Sequence, residues 1–272
     1  MTSATLNPAV AAPPRPARRS LRRIYRLEAW YELVKVLRMP AFAIPTIAFP
    51  VMFYLLFGVS FGRSFPAGPV TMATYLLGTY GAFGVIGAAL FGFGVGVAVE
   101  RGQGWTLLKR ASPMPAGAYF AAKLAMATVF GSAVVASLFL LGRFAAGVEL
   151  PSATWAALGG VLIAGALPFC AFGLALGYLA GPNSAPAVVN LIYLPMGFLS
   201  GLWIPINVLP GPMKTIALGL PAYHYAQLAL KTFGADLGQP AWIHLTYLAV
   251  FTALSLAVAR WAYRRDEGRT YG

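Results

Sequence analysis

"ERGQGWTLLKRASPMP" (Glu100–Pro115) sets four charged side chains, Glu100, Arg101, Lys109 and Arg110, around Trp105 and a Leu107–Leu108 pair. Long apolar runs lie on both sides of it, Val70–Val99 and Ala118–Gly142. Charged residues make up only 10% of the 272-residue chain, and hydrophobic ones 59%. A soluble domain is about 45–50% apolar and about 25% charged. Both departures point the same way. Lipid surrounds most of this chain, and the quoted stretch is a loop between two spans of a polytopic helical membrane protein. The 30 Gly and 21 Pro fit that solvent. Small residues let helices approach closely in a bilayer, and neighbouring helices re-satisfy backbone groups freed by proline.

Towards the N terminus, residues 1–20 are rich in Pro, Ala and Arg and read as a disordered cytoplasmic tail. Residues 21–40 change character. Leu27, Trp30, Tyr31, Val34 and Leu37 recur at three- and four-residue steps, with Arg22, Arg23, Arg26, Glu32 and Lys35 filling much of the rest. That pattern predicts an amphipathic helix lying in the membrane interface, ended by Pro40. Six apolar spans follow, at about Ala41–Phe61, Val70–Val99, Ala118–Gly142, Ala153–Ala180, Ala187–Ile206 and Trp242–Tyr263. Each reaches the roughly 20 residues needed to cross the hydrocarbon core.

Lysine and arginine then fix the orientation. Eight occur up to Arg38, four between Arg101 and Lys123, and four from Arg260 to Arg269, which gives 16 on one side. Arg63, Arg143, Lys214 and Lys231 are the four on the other. The positive-inside rule places both termini, the 264–272 tail and the 100–117 loop on the cytoplasmic side of the inner (plasma) membrane. The net charge of +13 therefore sits at span ends among membrane lipids, not on a folded soluble face, and nucleic acid is not an expected partner.

The segment 207–240 should be an external polar loop. It instead holds two short apolar pieces, about Met213–Leu218 and Ala222–Phe233, separated by Gly219 and Pro221. Neither is long enough to span, and a pair of re-entrant half-helices dipping into the outer leaflet fits better than a connector. Tyr223, His224 and Tyr225 follow the break with polar tips suited to the water–lipid boundary, and Lys214 and Lys231 can reach outer headgroups. In the fifth span, Tyr193, Met196, Phe198 and Trp203 would suit the lining of a path for hydrophobic or amphipathic cargo. They would equally suit core packing.

Several chemistries are missing. No phosphate-cradling glycine loop ends in Lys-Ser or Lys-Thr. "GFGVG" (92–96) lies inside the second span without the lysine and reads as close helix packing. No His, Asp or Glu cluster suits a metal, and Cys170, alone in an apolar run, allows no intrachain disulfide. His224 and His244 read as interfacial hydrogen-bonding groups, with proton sensing as the alternative. The spans show no buried carboxylate of the kind an ion-coupled transporter uses, since Glu100 sits at a span end and Glu149 and Asp236 are external. No catalytic constellation or bound cofactor is expected of this chain. The leading class is a transport subunit driven by ATP hydrolysis in another chain, and the alternatives are a non-ATP-driven membrane transporter and a structural subunit of a larger membrane complex.

An interfacial helix, six spans, a basic first cytoplasmic loop and an apolar re-entrant segment before the last span, taken in order, resemble the permease subunit of the ABC type-2 exporter family. "LRMPAFAI" (37–44), "ERGQGWTLLKRASPMPAGAYFAAKL" (100–124), "LSGLWIPINVLP" (199–210) and "LPAYHYAQLAL" (220–230) carry the likeness. One departure is Gln103, where many members carry a charge. The resemblance implies a coupling helix that binds a separate ATPase subunit, with ATP and Mg held in that partner. Here it would comprise Glu100, Arg101, Gly104, Trp105, Leu107, Leu108, Lys109, Arg110 and Pro113. It also implies a second permease copy, identical or a close paralogue, and export of a drug-, lipid- or glycolipid-like substrate.

Overall fold

The structure is a computed structural model that describes residues 20–62, 65–112 and 114–267, without the side chains at 107, 110, 116, 266 and 267. The N-terminal tail up to residue 19, Arg63, Pro113 and the C-terminal residues 268–272 lie outside the described residues, as do the Leu107 and Arg110 side chains. In chain order the helices are α1 (Leu21–Leu37), α2 (Pro40–Phe53), α3 (Met72–Leu90), α4 (Gly96–Gly102), α5 (Trp105–Ala111) and α6 (Ala116–Leu140). They continue with α7 (Ser152–Ala164), α8 (Ala166–Leu179), α9 (Ala185–Leu199), α10 (Gly211–Ala217), α11 (Pro221–Lys231) and α12 (Ala241–Glu267). Widened π turns extend α2 over Tyr54–Val59, join α3 to α4 over Phe91–Val95 and extend α6 over Leu141–Ala145.

Five helical stretches among the described residues are long and apolar enough to cross a membrane: Pro40–Val59, Met72–Gly102, Gly117–Ala145, Ser152–Leu179 and Ala241–Arg265. They follow five of the six expected spans to within a few residues. The expected span Ala187–Ile206 is shorter than its sequence suggested. Its helix, α9, has 15 residues, about 22 Å at 1.5 Å per residue, against a core about 30 Å thick. The chain leaves the helix at Ser200 and turns at Gly201, whose φ of +78° only glycine adopts without strain. A second feature not foreseen is a small antiparallel hairpin, β1 (Pro66–Ala67) with β2 (Val70–Thr71). It leads into α3, whose first turn is capped by the Thr71 hydroxyl accepting from the Thr74 N–H at 3.3 Å.

Helix α3 is the axis of the bundle, buried at every residue from Ala73 to Leu90. Its continuation crosses α8 at very short range, and glycine permits it. A Cβ on Gly177 would sit 2.8 Å from Val97 Cβ and 2.9 Å from the Phe93 carbonyl oxygen. One on Gly173 would meet Phe93 Cβ at 3.0 Å, and one on Gly94 would meet Val189 at 3.0 Å. "GFGVG" is thus a packing surface that faces the Gly173–Gly177 pair. Replacing Gly177 by Val should force these helices apart and cost about 1–3 kcal/mol. The midpoint of detergent-induced unfolding should fall accordingly, and an unchanged midpoint would refute the close crossing.

Candidate functional site

Helix α4 ends at Gly102, and Gly104, with φ of +74°, turns the chain before α5 begins at Trp105. That left-handed position suits glycine alone among the residues of the stretch. A helix of seven residues does not hold itself together in water, so α5 relies on anchors. Lys109 Nζ pairs with Glu28 Oε1 of α1 at 2.6 Å and lies 4.4 Å above the Tyr119 ring of α6. Arg101 turns the other way. Its Nη1 donates to the Gly177 carbonyl at 2.6 Å and its guanidinium stacks over Tyr178 of α8. Among the described side chains of α5, the exposed ones are apolar: Trp105 is 47% exposed and Leu108 72%.

Immediately before α5 lies a buried charge cluster. Lys123 of α6 has no exposed surface, yet its ammonium donates to Glu32 at 2.9 Å and to Glu100 at 3.0 Å. Glu100 also accepts from the Tyr119 hydroxyl at 2.7 Å and from Lys35, and Lys35 reaches Glu32 at 2.6 Å. Two carboxylates and two ammoniums make the cluster neutral, as a charge group out of water requires. Gly96 leaves room for it, since a Cβ there would stand 3.3 Å from Lys123 Nζ. Burial pulls the Lys35 ammonium down, but Glu100 and Glu32 more than compensate and hold it above the ordinary lysine value. A lysine raised on folding contributes its stability below about pH 10.4 and loses it only as pH climbs through the folded value. Lys35 therefore keeps its charge and its ion pairs at neutral pH.

This geometry corrects two readings. Glu32 and Lys35 were placed on the polar face of the interfacial helix. Glu32 is instead buried with Val36, while Trp30, Tyr31 and Leu37 point away from the protein. Glu100 was placed at a span end and so was not counted among buried carboxylates. It is buried, and its partners are Lys35, Lys123 and Tyr119. The cause is the same in both cases: Lys123, 91 residues beyond Glu32, supplies the countercharge that makes burial tolerable.

At the end of the bundle where α3 begins, α10 and α11 form two short helices on either side of Gly219, with Pro221 in the first turn of α11. Tyr223, His224 and Tyr225 were expected at a wet boundary and are buried. The Tyr225 hydroxyl donates to the Leu162 carbonyl at 2.5 Å, and His224 lies between the Leu218 carbonyl and His244. Lys231 pairs with Asp236 at 2.8 Å, and Lys214 donates to the Asn207 carbonyl at 2.8 Å.

Of the four candidate lining residues, Phe198 and Trp203 face an apolar cleft of about 340 Å³. Tyr193 and Met196 do not line it. Tyr193 is stacked on Phe83 at 4.3 Å with its hydroxyl on the Phe83 carbonyl, and Met196 is buried in the core. The other wall was missed. Phe49, Phe53, Phe57, Phe61 and Phe65 recur at four-residue steps, and the last four line the cleft. Phe53 stacks on Trp203 at 5.5 Å and on Phe57 at 6.0 Å. The four-residue spacing was the available signal, hidden in a span that is apolar throughout.

Residues 25–233, from α1 to the end of α11, match the family model described as ABC-2 type transporter. The chain belongs to this family of membrane transport proteins. It is similar to a Bacillus subtilis (strain 168) protein that carries the name transport permease YvfS. The two are 27% identical over 236 residues, 87% of this chain and 95% of that one.

Replacing Lys123 by Met should leave two buried carboxylates facing each other with a single ammonium. The expected loss is about 3–5 kcal/mol, read as a lower unfolding midpoint in detergent. The deficit should shrink towards acid pH, where a proton on one carboxylate replaces the missing cation. A Lys123→Met chain as stable as the parent at pH 8 would show that the cluster holds nothing.

Proposed function

We propose that this chain is the membrane subunit of an ATP-driven exporter and that α5 is where a separate ATPase subunit docks. The observation that carries the reading is a two-turn helix that exposes Trp105 and Leu108 while Lys109 is tied inward to α1. A solvated loop has no reason to present a tryptophan and a leucine on a pinned helix. A partner groove gives one, because buried aromatic and aliphatic anchors dominate interface energies. Trp105 and Leu108 are then the contacting side chains. Glu100, Arg101, Gly104 and Lys109 hold the helix at its angle. Leu107, Arg110 and Pro113 complete the proposed segment.

The remaining parts follow as one scheme. ATP and Mg belong to the ATPase subunit, since the sequence has no nucleotide loop of its own. The 16-to-4 basic bias puts α5 and both termini in the cytoplasm. With α9 counted as the fifth of six crossings, the helix α10–Gly219–Pro221–α11 pair is a re-entrant lid on the external side. Two copies of this chain, or this chain and a paralogue, enclose the path. The phenylalanine-lined cleft favours a hydrophobic or amphipathic substrate, of drug, lipid or glycolipid class, leaving the cytoplasm or inner leaflet.

Two experiments test this. The double variant Trp105→Ala, Leu108→Asp should lose at least about 2 kcal/mol of docking energy, roughly a 30-fold weaker affinity. Co-elution of that variant with its ATPase at parental affinity would exclude α5 as the dock. Single cysteines placed in a Cys170→Ala background and labelled in intact cells should be blocked from outside at position 109 and reactive at position 149. External labelling at 109 would overturn the orientation.

A further inference from the structure

The pairing of His224 with His244 dictates where every ring proton sits. His224 Nε2 lies 3.0 Å from the Leu218 carbonyl oxygen, which only accepts, so Nε2 carries the hydrogen. In the neutral ring, Nδ1 is then a bare acceptor. His244 Nδ1 stands 2.9 Å from it and must be the donor. His244 Nε2 is therefore left with a lone pair, and it is fully buried with no hydrogen-bond partner among the described residues. The two rings are locked as opposite tautomers, one Nε2–H and one Nδ1–H.

This pair joins α11 to α12 at one point along their contact. Tyr247 of α12 stacks on the His224 ring at 3.8 Å, and its hydroxyl donates to the Gly219 carbonyl at 2.6 Å. The turn Leu218–Leu220 and the first turn of α11 are thus clasped by two α12 side chains, His244 and Tyr247. Among the described residues no countercharge touches the pair. Tyr223 meets the two rings edge-on at 5.1 and 6.0 Å, with its own hydroxyl buried and unpartnered among the described residues. Tyr75 of α3, near Tyr223, donates to the Gly201 carbonyl. Lys231 and Asp236, the charged groups acting on His244, are paired with each other at 2.8 Å.

We propose that His224 and His244 form a proton-released latch: the neutral pair holds the 218–225 segment against α12, and acidification frees it. The first added proton goes to His244 Nε2, the ring nitrogen with a free lone pair. It creates a buried imidazolium whose new N–H faces no acceptor. The second goes to His224 Nδ1 and abolishes the Nδ1–H···Nδ1 bond, because both facing nitrogens then carry hydrogens and both rings carry charge. Burial already depresses His224 below the ordinary histidine value, with the Leu218 hydrogen bond acting in the opposite direction. A depressed group contributes its stability above about pH 6.5 and loses it as pH falls through the folded value. The latch is closed at neutral pH and opens in acid. This holds whether or not α5 binds an ATPase.

The test uses the full chain in nanodiscs of phosphatidylcholine and phosphatidylglycerol. With ¹⁵N-labelled histidine at pH 8, the ring nitrogens should report one Nε2–H and one Nδ1–H tautomer, and at pH 5 two imidazolium rings. Spin labels on Thr215→Cys and Leu245→Cys, in the Cys170→Ala background, should give a single short distance at pH 8. That short-distance population should be lost at pH 5 and recovered on return to pH 8. The double variant His224→Leu, His244→Leu should keep the short distance at both pH values. The same tautomer in both rings at pH 8 would overturn the proposal. So would an unchanged distance in the parent at pH 5, or opening of the double-leucine variant in acid. The spectra and the parental distances need no substitution at the pair, so a variant that fails to fold leaves the test decisive.

Discussion

Lys123 is an ammonium with no access to solvent, placed about two turns into a helix that otherwise reads as lipid-soluble. An isolated charge there would cost several kcal/mol or more. Glu32 and Glu100 remove that cost, and in doing so they fix the relation of three helices. Glu32 brings in α1, Glu100 brings in the end of α4, and Lys123 itself belongs to α6. The fourth member, Lys35, balances the second carboxylate. Helix α5 hangs from this arrangement, because Glu28 and Tyr119, which hold Lys109, are carried by two of the same helices. A neutral ion cluster adds little net stability over a well-packed apolar one. Its value lies in geometry: hydrophobic packing tolerates sliding, and four charges that must meet do not. That is why a short helix unable to stand alone can be presented at a defined angle.

The bundle itself is held by a different device. Helices in lipid gain little from excluding water, so they must approach closely or share hydrogen bonds. The α3–α4 crossing with α8 takes the first route through Gly94, Gly173 and Gly177. Tyrosine hydroxyls take the second. Tyr54, Tyr75, Tyr193 and Tyr225 each donate to a backbone carbonyl on another element: Ala73, Gly201, Phe83 and Leu162. A buried phenol without such a partner would pay for its desolvation. Each hydroxyl satisfied in this way also specifies a neighbour. The end of the bundle where α3 begins is thus pinned by aromatic donors, and the opposite end by charge.

The two ends differ in how readily they respond. The cluster around Lys123 pairs full charges, two carboxylates with two ammoniums. The polar contact between α11 and α12 rests on neutral imidazoles and a stacked tyrosine. The first is suited to transmitting force between helices without yielding, and the second to letting go.

The sequence alone determined which segments enter lipid. Mean hydropathy over about twenty residues is a local property, and it located five helices long and apolar enough to cross a membrane, the α4–α5 segment between two of them, and the break at Gly219–Pro221. It also identified the family, because motif order and spacing are properties of the chain. Tertiary structure alone decided what each polar residue in those segments does. Glu32 and Lys35 have the spacing of a solvent-facing stripe, and nothing within α1 announces that Lys123 will stand opposite. His224 and Tyr225 have the composition of a boundary. They are buried because Leu218, Leu162 and His244 arrive with acceptors and donors. Tyr193 and Phe198 look alike as aromatic residues five positions apart, yet one is core and the other lines a cleft. The end of α9 at Ser200 was likewise set by a turn and not by hydropathy. Partition into a membrane is summed over a segment and can be read along it, whereas burial of a single polar group depends on a partner that another part of the chain must supply.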